Sequence, residues 1–235
     1  MRGSRGEILA ISGTRGFGPA DAGHVIRDSI RYFWHRPDGS SGAPITVVPG
    51  SERWGLEFSG SVQFPYIPFS ARAEWAAGPD RFLTGMDGSA EYSEWLRDGS
   101  LDRVVRWAEP ERAVTDDVKA RQLEVSVNAA RDENGQRRER KFMSEVPLPA
   151  TVRVYQSMQV DDLGNVWIER YRFAWELTPE WNVFGPDRDW LGLVRTPGRF
   201  RIFQIGSDFI LGVGRDENDI ERVLQFDLAR TPSQE

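Results

Sequence analysis

Cysteine is absent from the 235-residue chain, which excludes disulfides, thiolate zinc sites and cysteine nucleophiles. Histidine is nearly absent. The two that occur, His24 and His35, lie in no zinc spacing and beside no obvious nucleophile, so structural roles are expected of both. A G-x-S-x-G nucleophile elbow does not occur. No run approaches the roughly 18 apolar residues of a membrane span, so membrane insertion is not expected.

Lysine is confined to Lys119 and Lys141, and every other basic side chain is arginine. The arginines are scattered along the chain without a fork-like cluster. Their excess reads as the codon preference of a GC-rich genome, not as a phosphate-binding device. The net charge of −6 argues against a nucleic-acid partner, which selects a basic footprint. An export signal is also missing: Met1 to Arg5 is basic, but GEILAIS is a short apolar stretch followed at once by glycine-rich GTRGFGP. That first apolar segment reads as a β-strand belonging to the middle of a domain.

What is present is strand grammar. Apolar residues make up 39% of the chain and charged residues 28%, values ordinary for a folded globular protein. Runs of about five to nine β-branched and aromatic residues recur between turns that carry Asp-Gly, Pro-Asp or Asn. Ile26 to His35 ends at RPDGSSG, and Ala43 to Pro49 reads as its returning strand. Ala71 to Gly78 and Arg81 to Met86 flank Pro79-Asp80. Ala90 to Leu96 and LDRVVRWA then follow the turns at Asp87-Gly88 and Asp98-Gly99. Asp-Gly supplies the positive φ that a tight hairpin needs, and two consecutive hairpins make a four-stranded blade. From Thr115 to Val146 the composition shifts to helix formers. Thr115 or Asp116 reads as the N-cap and Asn134-Gly135 as an interruption. The tract Arg137 to Lys141 in this segment reads as a solvated helix face, because its charges are mixed. Strands resume at Val152 and continue to Leu228. Strand groups of roughly 45 residues predict an all-β protein, a β-propeller of four-stranded antiparallel blades. About four blades are expected in a partial ring, with one helical insertion over 115–146 of a single domain spanning 1–235.

Three segments carry a family resemblance. They are VDDLGNVWIERY (160–171), WNVFGPDRDWLGLVRTP (181–197) and SDFILGVGRDENDIERVLQFDL (207–228). In order and spacing they resemble the blade motifs of a bacterial six-bladed β-propeller family of NHL-like style. The sequence departs from that pattern at Gly185, where the family tends to have Asp, and at Arg188, where glycine is usual. The resemblance implies a longer parent protein with further N-terminal blades, exported to the periplasm or secreted. By the same likeness this chain lacks its N-terminal blades. It also implies open sheet edges able to self-associate.

Candidate chemistry is sparse. The acidic runs Asp161-Asp162 and Asp216 to Asp219 offer oxygens of the kind calcium takes. Neither matches an EF-hand loop, and Asx residues in turns chiefly bond the local backbone. No cofactor is therefore expected, calcium being the lesser alternative. Propeller lactonases hold a central cation with Asp, Glu and Asn from separate blades, and Asn165 and Glu169 are the residues that analogy offers here. The tryptophans within strands suit blade packing. Trp54 and Trp190, read as turn residues, are the candidates for an exposed binding surface. The expected function is a non-enzymatic scaffold for a protein or small-molecule ligand. The alternatives are a metal-dependent hydrolase of the lactonase type and a truncated product without its own function.

Overall fold

In a computed structural model of the chain, residues 8–13, 16–36, 38–42, 44–78 and 81–230 are described. The basic start Met1 to Arg5 and the turn at Pro79-Asp80 fall outside them. The fold is all-β, built of antiparallel sheets of the blade type with one helical pair inserted. Contacts divide the chain into two compact units, one of Met1–Glu74 with Pro79–Val154, the other of Trp75–Gly78 with Tyr155–Glu235.

The first unit opens with β1 (Ile8–Gly13), a 3-10 turn at Pro19–Asp21, β2 (Val25–Ile26), β3 (Ser29–His35) and β4 (Thr46–Pro49). Next come β5 (Arg53–Trp54) and the hairpin of β6 (Leu56–Phe58) and β7 (Ser61–Gln63). Strands β1, β3 and β4 form a three-stranded sheet with β3 central, and β2 pairs with β5. The next sheet takes β8 (Ala73–Ala77), within which the boundary between the units falls, β9 (Arg81–Met86), β10 (Glu91–Leu96) and β11 (Leu101–Arg106), in the order β11-β10-β9-β8. Consecutive strands are neighbours throughout, as two joined hairpins require. Tyr32 of β3 stacks on Phe82 of β9 at 5.7 Å, and Phe82 stacks on Trp95 of β10 at 6.2 Å. Large flat side chains thus fill the interior of this unit, as expected of in-strand aromatics.

Helix α1 (Asp116–Ala129) begins where Thr115 accepts the Val118 N–H at 3.3 Å, an N-cap that satisfies one orphan donor. The break after α1 lies at Ala130 to Asp132, not at Asn134-Gly135. Asp132 takes the Gly135 N–H at 2.7 Å and so caps α2 (Glu133–Glu145), placing Asn134-Gly135 in its first turn. A capping carboxylate outweighs the low helix propensity of one glycine. Helix α2 is held by Phe142 and Val146, which pack with Leu56 and Ile67. Its basic tract faces outward: Arg137 and Arg140 are exposed and Lys141 pairs with Glu145 at 2.7 Å.

The second unit contains β12 (Tyr155–Val160), β13 (Val166–Arg170), β14 (Glu180–Phe184) and β15 (Trp190–Arg195), paired in that order. It ends with β16 (Phe200–Ile205), β17 (Phe209–Arg215) and β18 (Glu221–Asp227) in a three-stranded sheet. The core joins Trp167, Trp181 and Val183 of the first sheet to Phe200, Ile202, Ile205 and Ile210 of the second. Val166, Trp167 and Ile168 are all buried, as befits a central strand covered on both faces. Every residue of β18 is exposed, and β17 is its single partner among the described residues.

One turn geometry recurs at five hairpin ends, Arg36–Ser40, Leu96–Ser100, Asp161–Asn165, Gly185–Asp189 and Asp216–Ile220. In each, the first N–H donates to the fifth carbonyl and the fourth N–H to the first carbonyl. The fourth residue has positive φ: Gly39 82°, Gly99 90°, Gly164 81°, Arg188 74° and Asp219 62°. Glycine occupies that conformation without strain, and a side chain does so at a cost. Arg188 therefore keeps the turn that glycine makes elsewhere, and its Nη1 donates to the Gly185 and Pro186 carbonyls, each at 2.8 Å.

Candidate functional site

The two tryptophans singled out from sequence lie in different units and different surroundings. Trp54 sits in β5, half-buried against the Leu56 and Phe142 core, and its Nε1 is buried without a hydrogen-bond partner among the described residues. Trp190 begins the edge strand β15, is 60% exposed, and donates from Nε1 to Asn182 at 3.1 Å. Leu191 and Leu193 extend its apolar edge.

The histidines make local contacts. His24 Nδ1 lies 2.8 Å from the Ala22 carbonyl, and His35 Nδ1 lies 2.8 Å from Ser41 Oγ across a single bridge. Among the described residues no group of three His, Asp or Glu converges as a metal site. Asn165 and Glu169 do not meet: Asn165 donates to Asp161, whereas Glu169 accepts from Gln156, Ser157 and Arg172.

The acidic turns are occupied by the protein's own donors. Asp161 is 2% exposed, and its Oδ1 accepts from the N–H groups of Leu163 and Asn165 at 3.0 and 2.8 Å. Its Oδ2 accepts from Asn165 Nδ2, Trp167 Nε1 and Arg230 Nη2 at 2.7, 3.0 and 2.8 Å. The Asp, Gly, Asn and Trp of DDLGNVW thus form one hydrogen-bonded unit. Asp closes the turn, Gly164 takes the positive φ, and Asn and Trp satisfy the buried carboxylate. Asp216 repeats the scheme at the surface, accepting from the N–H groups of Asn218 and Ile220 and from Arg222 Nε, each at 3.0 Å. Those bonds, led by the Ile220 N–H, hold its carboxyl below the usual carboxylate range.

In the first unit Asp87 is fully buried. It accepts from the Arg72 N–H at 2.5 Å and from Arg153 Nη1 at 2.7 Å. Burial pushes this carboxyl up to about 6 against the opposing pull of Arg153 and the Arg72 N–H. The group ties three chain segments together, which makes it an internal hub with no open side for a ligand.

Two concavities stand out among the described residues. A groove of about 690 Å³ runs between the β6–β7 turn and the corner of α1 and α2. Of the two arginines that line it, Arg138 is committed to Glu139 and Gln63, and Arg131 is exposed beside Asp132 at the helix corner. The other is a cleft of about 490 Å³ in the second unit, at the end of the last sheet. Four arginines line it, Arg172, Arg199, Arg201 and Arg215, with Val213 as the apolar side chain opposite Arg201, the Phe200 ring turned to the core, and Asp219 and Glu221 at the β17–β18 turn.

Sheet register assembles this cleft. Arg201 stands opposite Val213, and Arg215 stands opposite Glu221. Two of the guanidiniums are fixed: Arg172 donates to Glu169 Oε1 at 3.3 Å and to the Glu176 carbonyl at 3.1 Å, and Arg215 donates to Asp219 and Glu221, both at 2.8 Å. Glu221 and Asp219 hold the Arg215 guanidinium above its ordinary range. Arg199 and Arg201 are exposed and have no carboxylate partner among the described residues. Arg201 is instead laid over the Phe203 ring at 4.8 Å, a cation–π contact that steadies it. The view of the arginines as scattered is thus corrected in space: strand pairing brings four of them to one cleft. The sole hint in the sequence is the close spacing of Arg199 and Arg201, the first in the turn before β16 and the second on its outward face.

The fold and site define an all-β protein of blade-type sheets with a cationic cleft and no recognisable catalytic constellation among the described residues. No family model matches the chain. None of the curated proteins matches it either. Among solved structures it is similar to the AfRom2 CNH domain at 9% identity and TM-score 0.31, covering 94% of this chain and 65% of that one. It is also similar to luciferin-regenerating enzyme at 10% identity and TM-score 0.30, covering 93% of this chain and 60% of that one. The chain spans less than two thirds of the length of either. Likenesses this remote carry no argument about what the chain does.

Proposed function

We propose that the chain is a non-enzymatic binding scaffold and that the arginine cleft of the second unit is its ligand site. One observation carries this reading: two exposed guanidiniums, Arg199 and Arg201, line a cleft without carboxylate partners while nearly every other charged group around them is paired. A rigid antiparallel sheet with function concentrated at strand ends and turns is a common arrangement for recognition. The hydrolase reading asks for converging metal-binding side chains, and the scaffold reading needs none. Resemblance of the three quoted motifs to exported propellers supports a periplasmic or secreted site of action for such a scaffold. The test is ligand-observed NMR with a panel of neutral, cationic and anionic small molecules, which reads binding and chemical conversion together. At least one compound is expected to bind and to be returned unchanged. Conversion of a bound compound would overturn the reading, as would a panel in which nothing binds.

A further inference from the structure

Resting on that reading, we infer that the cleft takes a doubly charged oxyanion, the shared chemistry of a phosphate monoester and a dicarboxylate, carried on a small apolar group. Four guanidiniums and two carboxylates line the cleft, and with Glu169 bonded to Arg172 one positive charge is left in excess, in a chain whose net charge is −6. A local excess against the overall sign marks a site that attracts anions, and a concave wall focuses that field. Chemistry narrows the choice further. Arginine presents planar paired donors that match the oxygens of phosphate and carboxylate, and it is always charged.

Preorganisation completes the argument. Arg172 and Arg215 are pinned by Glu169, Asp219 and Glu221, and so set the field without being free to fold over a ligand. Arg201 is steadied on the Phe203 ring, which leaves its guanidinium N–H groups for an incoming anion. Arg199 has positive φ, 57°, at the start of β16, so the chain turns sharply where it presents this side chain to the cleft. Val213, opposite Arg201, provides the apolar surface against which a substituent lies, the Phe200 ring being turned to the core over Gly212 and Gly214. A cleft of about 490 Å³ is of small-molecule size and too small to hold a folded partner.

The experiment is isothermal titration calorimetry on the full chain at pH 7.5 and low salt, with four probes: inorganic phosphate, phenyl phosphate, succinate and acetate. The expected result is binding of phenyl phosphate or succinate, with acetate, a monoanion, binding at least tenfold more weakly. Phenyl phosphate above succinate assigns phosphate as the source of the charge, and the reverse order assigns a dicarboxylate. Binding tighter than that of inorganic phosphate assigns the phenyl group to the Val213 side of the cleft. Arg199→Gln and Arg201→Gln are each expected to weaken binding about tenfold. Arg140→Gln, an exposed position on α2 in the other unit, is expected to leave it unchanged. Loss of binding in all three variants alike would reduce the effect to general electrostatics and overturn the inference, as would failure of every dianion to bind. If neutral or cationic compounds of the NMR panel bind while the dianions do not, the oxyanion inference fails and the scaffold reading stands. If nothing binds, both fail.

Discussion

Replacing Asp161 by Asn tests the physical reading of the DDLGNVW turn most sharply, because the two side chains differ in little but one oxygen. In the native turn Oδ1 serves two backbone N–H groups and Oδ2 serves Asn165 Nδ2, Trp167 Nε1 and Arg230 Nη2. An amide with its oxygen kept on the backbone donors turns an NH2 toward the other three, a donor facing donors. Asn165 can rotate its own amide to accept from the new group. Arg230 is 26% exposed at its side chain and retains the carbonyls of Gly206 and Ser207. Trp167, 1% exposed, has neither escape, and its indole N–H is left facing an NH2. A buried donor without an acceptor costs about 1–3 kcal/mol, and the weakened bonds to Arg230 and the turn add about 1–2 more. The expected loss is therefore about 3 kcal/mol, measured by urea denaturation at pH 7 followed through tryptophan fluorescence. Arg230→Met, which removes only the partly exposed member, is expected to cost about 1 kcal/mol. A D161N variant within about 0.5 kcal/mol of the parent would show that the carboxylate is not the hub of the turn, and would reopen it to a cation.

Three further outcomes follow from named contacts. Asp87, raised to about 6 from an unfolded value near 4, holds its proton more tightly in the folded chain, so its contribution to stability falls as pH rises from about 4 to about 6. The parent is expected to lose on the order of 3 kcal/mol relative to Asp87→Asn across that window; equal pH slopes in the two proteins would refute it. Gly39→Ala and Gly99→Ala probe one turn in two settings. The first places a Cβ in open space at φ 82° and is expected to cost about 1 kcal/mol. The second brings its Cβ to 2.4 Å from Ile45 Cγ2 and 2.6 Å from the Ile45 carbonyl, and is expected to cost at least about 3 kcal/mol, with equal losses counting against the packing argument. Asp219→Gly relieves positive φ and removes a negative charge from the cleft. It should raise the thermal midpoint by about 2 °C and tighten phenyl phosphate binding, whereas weaker binding would contradict the placement of the anion.

How much of this was legible in the sequence depends on the range over which each interaction acts. The hairpins at Asp98-Gly99 and Asp38-Gly39 are local chemistry, and the apolar and aromatic runs located β9 and β10 to within a residue and the end of β3 at His35. The Thr115 cap was readable for the same reason. The helix break was misplaced because Asn134-Gly135 looks like a turn in isolation, while Asp132 three residues upstream of Gly135 converts it into a capped first turn. The hairpin of β6 and β7 carries no Asp-Gly; its turn is Ser59-Gly60, both with positive φ. Trp54 reads as a turn residue next to Gly55, yet it pairs with Val25 in a short ladder and packs on the helical insertion. The arginine cleft was out of reach, because Arg172, Arg199, Arg201 and Arg215 come together only through tertiary packing and sheet register.

On this reading a dianion is held, unchanged, between Arg199 and Arg201. A crystal structure of the chain grown with phenyl phosphate decides whether it is. The expected result is an intact ligand in the cleft, its phosphate oxygens within hydrogen-bond distance of both guanidiniums and its ring against Val213. A ligand seated elsewhere, at the Trp190 edge for example, or cleaved phosphate in the cleft, would contradict it.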